Sequence, residues 1–424
     1  MQIFIDTIYI ILAVFYLPAF LFKGKHRVGF IERFGVYKHN LKDAFKDKKA
    51  IIWLHAVSVG EMKAAAPLLE RLHRVFPEKR ILISTITPTG NVVAHQLASK
   101  LDLVIYFPFD LKWVVKKVLD LIKPEILLIL ETEIWPNMIL EASKRKIPIA
   151  IINGRISDQA FPRYRLAGMF FKPIVQKINL FCMQTAIDAD RITILGADKQ
   201  RVHIVGNLKF DQARNFSSKN LPRLGLKKQE QLIVAGSTHA KEEEMIIAAF
   251  LRLKADYPKT RLLIAPRHPH RAKEIDKIVK GYDLNCVFTS QIQRTEPKIS
   301  AECVLILDQV GVLNQFYELA DIVFVGGSLI PHGGQNPIEP AVCAKVVIFG
   351  KYMFNFSRIA KLFLDNNAAI CVNDANELYL VLNDILSQED KKKALAQKAE
   401  DLVLQNKGAT QRVLGLLQKQ FFNV

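Results

Sequence analysis

Glu61 is a carboxylate at the mouth of a short turn. Before it runs an apolar, β-rich stretch, Ile51–His55 (IIWLH); after it, an apolar helical pattern begins. A strand, a turn through Ser58 and Gly60, and a helix start make the junction at which open α/β sheets bind ligands. Taken alone, an acidic residue in a first helical turn is equally well explained by the helix dipole. The same dipole lowers a carboxylate's pKa, so Glu61 is expected to be ionised and a weak base. Other polar groups take equivalent places. Glu131 and Glu133 follow the apolar run Ile126–Leu130, the motif TITPTG spans 85–90, Asn153-Gly154-Arg155 ends a further run, and Lys209 closes this half of the chain. His55 lies inside a strand and reads as a buried, hydrogen-bonded histidine.

The second half carries groups suited to phosphate. In Phe324–Ala341 (FVGGSLIPHGGQNPIEPA), two glycine pairs separate a strand from a helix expected to start near Asn336. Glycines let a backbone approach a ligand closely, and a helix start offers free N–H groups to an anion. Pro337 fits a first helical turn, where its missing N–H costs nothing, and Glu339 could accept hydrogen bonds from a ribose diol. Pro266 and Arg267 end another strand, and Arg267 could pair with a phosphate in two-pronged fashion. Val310-Gly311-Val312 follows a third strand. Ser237 or Thr238, in the run Ala235-Gly236-Ser237-Thr238-His239, is a candidate cap for the helix of 241–253.

These positions need a scaffold, and the alternation of strand and helix patterns supplies it. Strands are expected at 51–55, 81–85, 103–107, 126–130, 147–152, 180–183 and 202–205. A second series follows at 232–235, 261–265, 304–307, 322–325, 346–349 and 369–372, and the chain ends in helices at 377–386, 391–405 and 410–421. Nearly continuous β-branched strands between amphipathic helices point to parallel sheets covered on both faces. The polar, basic stretch 211–231 breaks the alternation and reads as a linker. The expected organisation is a segment 1–22, a Rossmann-like domain over 23–210, the linker, and a second Rossmann-like domain over 232–424, the two facing a central cleft. At 424 residues the chain exceeds what one core usually organises.

Composition narrows the partners. The formal charge of +18 favours anions: nucleic acid, an anionic membrane or a phosphorylated substrate. No zinc-finger spacing or aromatic RNA-binding signature is present, which argues against nucleic acid. The five cysteines are scattered and lack metal-ligand spacing, which favours reduced thiols over disulfides or zinc. Between Thr7 and Phe22 no residue is charged, and Lys23, Lys25 and Arg27 follow. That pattern reads as a membrane anchor or an interfacial helix, with the rest of the chain on the cytoplasmic side. An ordinary helix packed on the domain is the alternative, because the run falls short of the ~20 residues that span a bilayer.

The ordered runs WLHAVSVGE, STITPTG, ETEIWPN, NGRIS, GNLKFD, GSTH, APRHP and FVGGSLIPHGGQNPIEP resemble the 3-deoxy-D-manno-octulosonic acid (Kdo) transferases of glycosyltransferase family 30. The resemblance covers essentially the whole chain. It implies a GT-B fold and a metal-independent, inverting transfer of Kdo from CMP-Kdo to lipid IVA, the lipid A precursor, at the inner membrane, with no cofactor. It also implies that Glu61 is the general base and that Glu131 and Lys209 stabilise the transition state. CMP contacts would fall on Pro266, Arg267, Val310, Gly311, Val312, Asn336, Pro337, Ile338 and Glu339. The chain departs from the family pattern at Val312, where an acidic residue is usual, which leaves a backbone contact open there. Three other readings share parts of the pattern: a GT-B transferase using a UDP- or GDP-sugar, a nucleotide-sugar epimerase, and a non-catalytic anion-binding membrane protein. The last leaves Glu61 and the glycine loop without a purpose.

Overall fold

A computed structural model describes residues 2, 5–7, 9, 11, 28–47, 49–212, 224–226, 229–295 and 303–422. The chain divides into two compact units, unit 1 comprising residues 1–212 and 407–424, and unit 2 residues 213–406.

Unit 1 is built on seven strands: β1 (Ile51–His55), β2 (Arg80–Thr85), β3 (Leu103–Tyr106), β4 (Ile126–Leu130), β5 (Ile149–Gly154), β6 (Leu180–Met183) and β7 (Val202–Ile204). They lie in the order β3-β2-β1-β4-β5-β6-β7, every described pair parallel. The order reverses direction between β1 and β4, so their carboxyl ends flank the crevice where such sheets take ligands. Alternate residues of β1 face opposite cores. Ile51 and Trp53 join one cluster with the helix Lys112–Ile122, while Ile52 and Leu54 join another with the helix Val59–Val75. Burial on both faces is what a run such as IIWLH requires, since it has no polar side to give to water.

Unit 2 repeats the plan with β8 (Gln231–Thr238), β9 (Thr260–Pro266), β10 (Cys286–Phe288), β11 (Val304–Ile306), β12 (Ile322–Val325), β13 (Val346–Gly350) and β14 (Ile370–Val372). The order is β10-β11-β9-β8-β12-β13-β14, again parallel, with its reversal between β8 and β12. Ile233 and Ala235 face one core and Leu232 and Val234 the other. β10 was not expected from the sequence. It is a three-residue edge strand, none of whose residues is fully buried.

The structure differs from the expected domain boundaries at the C-terminus. The helix Ala409–Leu417 belongs to unit 1 and not to the second domain. Its Ala409, Val413, Leu414 and Leu417 are buried with Leu68 and Leu72, and Asp211 accepts hydrogen bonds from the backbone of Gly408 (2.6 Å) and Thr410 (2.5 Å). Helical periodicity located this helix but could not say which sheet its apolar stripe covers. Most of the expected linker lies outside the described residues; Leu224 is buried in a unit 2 core.

The expected membrane segment also lies largely outside the described residues. Three polar residues near its start are tied to unit 1. Asp6 accepts from Lys112 N (3.1 Å) and Asn137 Nδ2 (2.8 Å), Tyr9 donates to Asp110 (3.4 Å), and Gln2 donates to Glu141 (2.9 Å). Among the described residues no helix is long and apolar enough to cross a membrane.

Candidate active site

The helix Val59–Val75 starts where it does because Ser58 caps it: its Oγ accepts from the backbone N–H of Glu61 (3.5 Å). Glu61 returns the contact. Ser58 Oγ donates to Glu61 Oε1 (2.9 Å) and Val57 N–H to Oε2 (2.8 Å), a variant of the capping box. Both carboxylate oxygens are therefore fixed by backbone and cap at the carboxyl end of β1. The residue is only 8 % exposed. Burial pushes its pKa up to about 7; the hydrogen bonds from Val57 and Ser58 oppose that rise, and the charges of Glu131 and Glu133 add to it. Burial thus opposes the lowering expected from the helix dipole and sets the pKa of the Glu61 carboxyl at about 7.

Glu131 follows β4, the neighbour of β1. Its φ of 55° lies in the left-handed region, which costs a non-glycine residue about 1–2 kcal/mol. That backbone turn is held by its N–H donating to Ile152 O (2.8 Å) and by its carboxylate accepting from Arg155 Nε (2.8 Å). Thr132 and Arg155 lock the same two strand ends reciprocally, Oγ1 donating to Arg155 O (2.6 Å) and accepting from Arg155 N (2.9 Å). Burial also raises the pKa of Glu133, with Glu131 adding to it.

Lys209 sits in the short helical turn Leu208–Gln212. Buried Asn153 anchors that turn, its Oδ1 accepting from Leu208 N (3.0 Å), and Asn207 Oδ1 accepts from Lys209 N (3.0 Å). Burial lowers the pKa of the Lys209 ammonium, whereas the charges of Glu131 and Glu61 hold it up. Glu61, Glu131 and Lys209 thus form one electrostatic cluster with Glu133 and Arg155. His55 is fully buried, stacked on Phe107 with ring centroids 3.8 Å apart, its Nδ1 3.0 Å from Ser84 Oγ. Burial pushes its pKa down to about 3, the state of a core histidine.

In unit 2 the expected nucleotide residues lie at or past the carboxyl ends of β9, β11 and β12. Pro266 ends β9, and Arg267 is exposed, its N–H donating to Thr238 O at the end of β8 (2.9 Å). Val310 and Gly311 follow β11; the Val310 side chain is 83 % exposed and Gly311 has φ 82°. Val312 caps the helix Leu313–Leu319 without a side-chain hydrogen bond. After β12, Asn336 Oδ1 accepts from Ile338 N (3.2 Å) and its Nδ2 donates to Glu339 Oε1 (3.2 Å), which fixes Pro337, Ile338 and Glu339 in one tight turn.

Two expectations here need correction. The helix expected near Asn336 is a single turn, Ile338–Ala341, so it supplies no extended dipole for phosphate. The loop that begins at the first glycine pair is tied to the body of unit 2 through its amides. The N–H groups of Gly327 (2.6 Å), Ser328 (2.9 Å) and Leu329 (2.9 Å) all donate to the buried carboxylate of Glu242. Neither Ser237 nor Thr238 caps the next helix, which begins at Glu243 with Glu242 in the cap position; Thr238 Oγ1 instead donates to Glu243 Oε1 (2.9 Å). Sequence reasoning passed over Glu242 because a Lys-Glu-Glu-Glu run reads as a solvated helix start. Among the described residues no three His, Cys, Asp or Glu side chains are placed to hold a metal ion.

Residues 29–212, most of unit 1, match the family described as 3-Deoxy-D-manno-octulosonic-acid transferase (kdotransferase). Over 93 % of its length the chain is 32 % identical to the 3-deoxy-D-manno-octulosonic acid transferase of Haemophilus influenzae, covering 92 % of that protein. The chain belongs to the Kdo transferase family. It is also 37 % identical over 82 % of its length to a bifunctional glycosyltransferase/methyltransferase of Fusobacterium nucleatum, but spans only about half (55 %) of that longer protein. In fold, the chain is similar to the UDP-GlcNAc 2-epimerase of Neisseria meningitidis, with a TM-score of 0.60 at 13 % identity, covering 88 % of this chain and all of that one. At that identity the likeness speaks to the two-domain α/β architecture alone.

Proposed function

We propose that this chain transfers Kdo from CMP-Kdo to lipid IVA in lipopolysaccharide core biosynthesis, releasing CMP, with inversion at the anomeric carbon and Glu61 as general base. Family membership supports the sugar. The observation that carries the mechanism is the buried Glu61 carboxylate, with its pKa near 7, in one cluster with Glu131 and Lys209. A base with that pKa is well matched to taking a proton from a sugar hydroxyl at neutral pH.

The donor's anomeric carbon is a ketal centre bearing a carboxylate and the CMP phosphate. As the C–O bond to phosphate breaks, positive character grows on the sugar ring and negative charge on the phosphate. Arg267 is the cation for the phosphate, a part the one-turn helix at Ile338 cannot play. Glu131 and Lys209 serve the transition state, with Arg155 holding Glu131 in place. Pro266, Val310, Gly311, Val312, Asn336, Pro337, Ile338 and Glu339 take the CMP moiety, Val312 through its backbone. A cytoplasmic site at the inner membrane accords with the charge of +18 and with Lys23, Lys25 and Arg27 after the apolar start.

Glu61→Gln is the decisive variant, because glutamine still serves in a capping box and leaves the helix start intact. It is expected to bind CMP-Kdo with wild-type affinity and to lose roughly 10²–10⁴ in turnover, the usual contribution of a general base. Turnover is read by mass analysis of the products formed on a tetraacylated, bisphosphorylated lipid A precursor. Near-normal rates would remove Glu61 from the chemistry.

A further inference from the structure

Four histidines crowd the ligand edge of unit 2, and the mechanism above uses none of them. His239 follows β8, His268 follows β9, His270 lies two residues on, and His332 comes from the loop after β12. The His239 and His332 rings are 3.7 Å apart between centroids; His268 is 6.2 Å from His239 and 5.6 Å from His270. His239 lies against the reversal point itself: a Cβ on Gly327 would come within 3.2 Å of its Cδ2. Gln335 Nε2 is 3.4 Å from His239 Nε2, next to the Asn336 turn.

The surrounding charge is lopsided. Arg267 and Arg271 both act on His239. The carboxylates of this region are already engaged. Glu242 accepts the three amides of the glycine loop and His239 N (3.3 Å), while Glu243 (2.7 Å) and Glu274 (3.0 Å) hold Arg271. Among the described residues no carboxylate pairs with Arg267. Burial and these cationic neighbours push the His239 pKa down to about 4, and the same causes lower that of His268. Imidazoles packed together near an unneutralised guanidinium repel one another when protonated, and an incoming anion would remove that repulsion.

We propose that His239, His268 and His332, with Arg267, form a subsite that binds the phosphate of the donor nucleotide and takes up a proton as it does so. The inference rests on the reading of unit 2 as the nucleotide-binding unit. The proton comes from solvent, is held by His239 or His268, and returns to solvent when the nucleotide leaves. Phosphate recognition thus falls to side chains at the ends of β8, β9 and β12, because the glycine-loop amides are occupied by Glu242.

Isothermal titration of the full chain with CMP and with cytidine, in buffers of differing ionisation enthalpy near pH 6.5, tests this. Wild type is expected to take up protons with CMP and none with cytidine. His239→Gln and the exposed-site variant His268→Gln are each expected to reduce that uptake and to weaken CMP about tenfold, with cytidine affinity unchanged. The phosphate's own ionisation near pH 6 is common to all three proteins, so the difference between them reports the imidazoles. If His239→Gln does not fold, His268→Gln carries the comparison, since His268 is exposed. CMP binding with the same proton uptake in wild type and variants would overturn the subsite and leave the donor assignment standing. Failure of wild type to bind CMP would overturn the donor assignment and the subsite with it.

Discussion

Burial and hydrogen bonding pull the pKa of Glu61 in opposite directions, and under the proposed mechanism their balance sets the pH at which the site works. Desolvation raises it to about 7, while the Ser58 hydroxyl and Val57 N–H favour the charged form. The rate should therefore rise with pH through about 7 as Glu61 loses its proton. Ser58→Ala removes one of the bonds that favour the charged form, so the rising limb should move to higher pH, with roughly 1 kcal/mol of stability lost along with the cap. Glu131→Gln removes a like charge and should move the limb lower while slowing turnover. A pH–rate profile of each variant checks both signs; limbs that stay in place would detach Glu61 from the profile. Stability follows the same group. Because its folded pKa lies above the ordinary 4.5, the native state holds the proton longer, and stability falls as pH rises from about 4.5 through 7. The strand-turn-helix setting of Glu61 was legible, and the Ser58-x-x-Glu61 spacing of its cap is visible in the chain. The sign of its pKa shift was not, because desolvation depends on what packs above the turn.

Strands surrounded by others were legible as elements, and the loops between them were not. β1, β4, β6 and β12 match their expected spans because each is an apolar run bounded by polar residues. β10 escaped, although β7 and β14, edge strands of the same length, did not. The glycine loop after β12 was legible as special for its glycines, but not the carboxylate 85 residues away in sequence that takes the amides of Gly327, Ser328 and Leu329. Glu242 anchors that loop with both oxygens: Oε1 accepts from Ser328 and Leu329, and Oε2 from Gly327 and His239. Glu242→Gln keeps one acceptor oxygen and turns an NH₂ group toward N–H donors. The expected cost is about 1–3 kcal/mol, the penalty for a buried donor left unsatisfied. Denaturant unfolding should show that loss together with weaker CMP binding. A variant as stable as wild type would mean that water takes the place of the lost acceptor.

At the scale of the whole molecule, two sheets were foreseeable because the strand–helix alternation runs twice along the chain with a polar break between the runs. The path of the C-terminus was not. An amphipathic helix at the end of a sequence can cover either sheet, and periodicity says only that one face is apolar. Here the chain leaves unit 1 after Gln212 and returns to it at Lys407, so the last helix completes the core of the unit that carries Glu61. Its buried Val413, Leu414 and Leu417 pack with the helix Val59–Val75, Phe422 lies 4.5 Å from Phe76 between ring centroids, and Arg412 Nε donates to Val205 O (2.8 Å). Removing residues 407–424 would uncover these side chains at about 1.5–3 kcal/mol for each large one, several kcal/mol in all. The loss should fall on unit 1. Hydrogen exchange should show protection falling in β1, β4 and the helix Val59–Val75, while the β8–β9 and β12–β13 amides keep theirs. Turnover should drop, because the cap that holds Glu61 stands on that helix, whereas CMP binding by unit 2 should persist. Equal loss of protection in both sheets would instead mean that the two units unfold as one cooperative block.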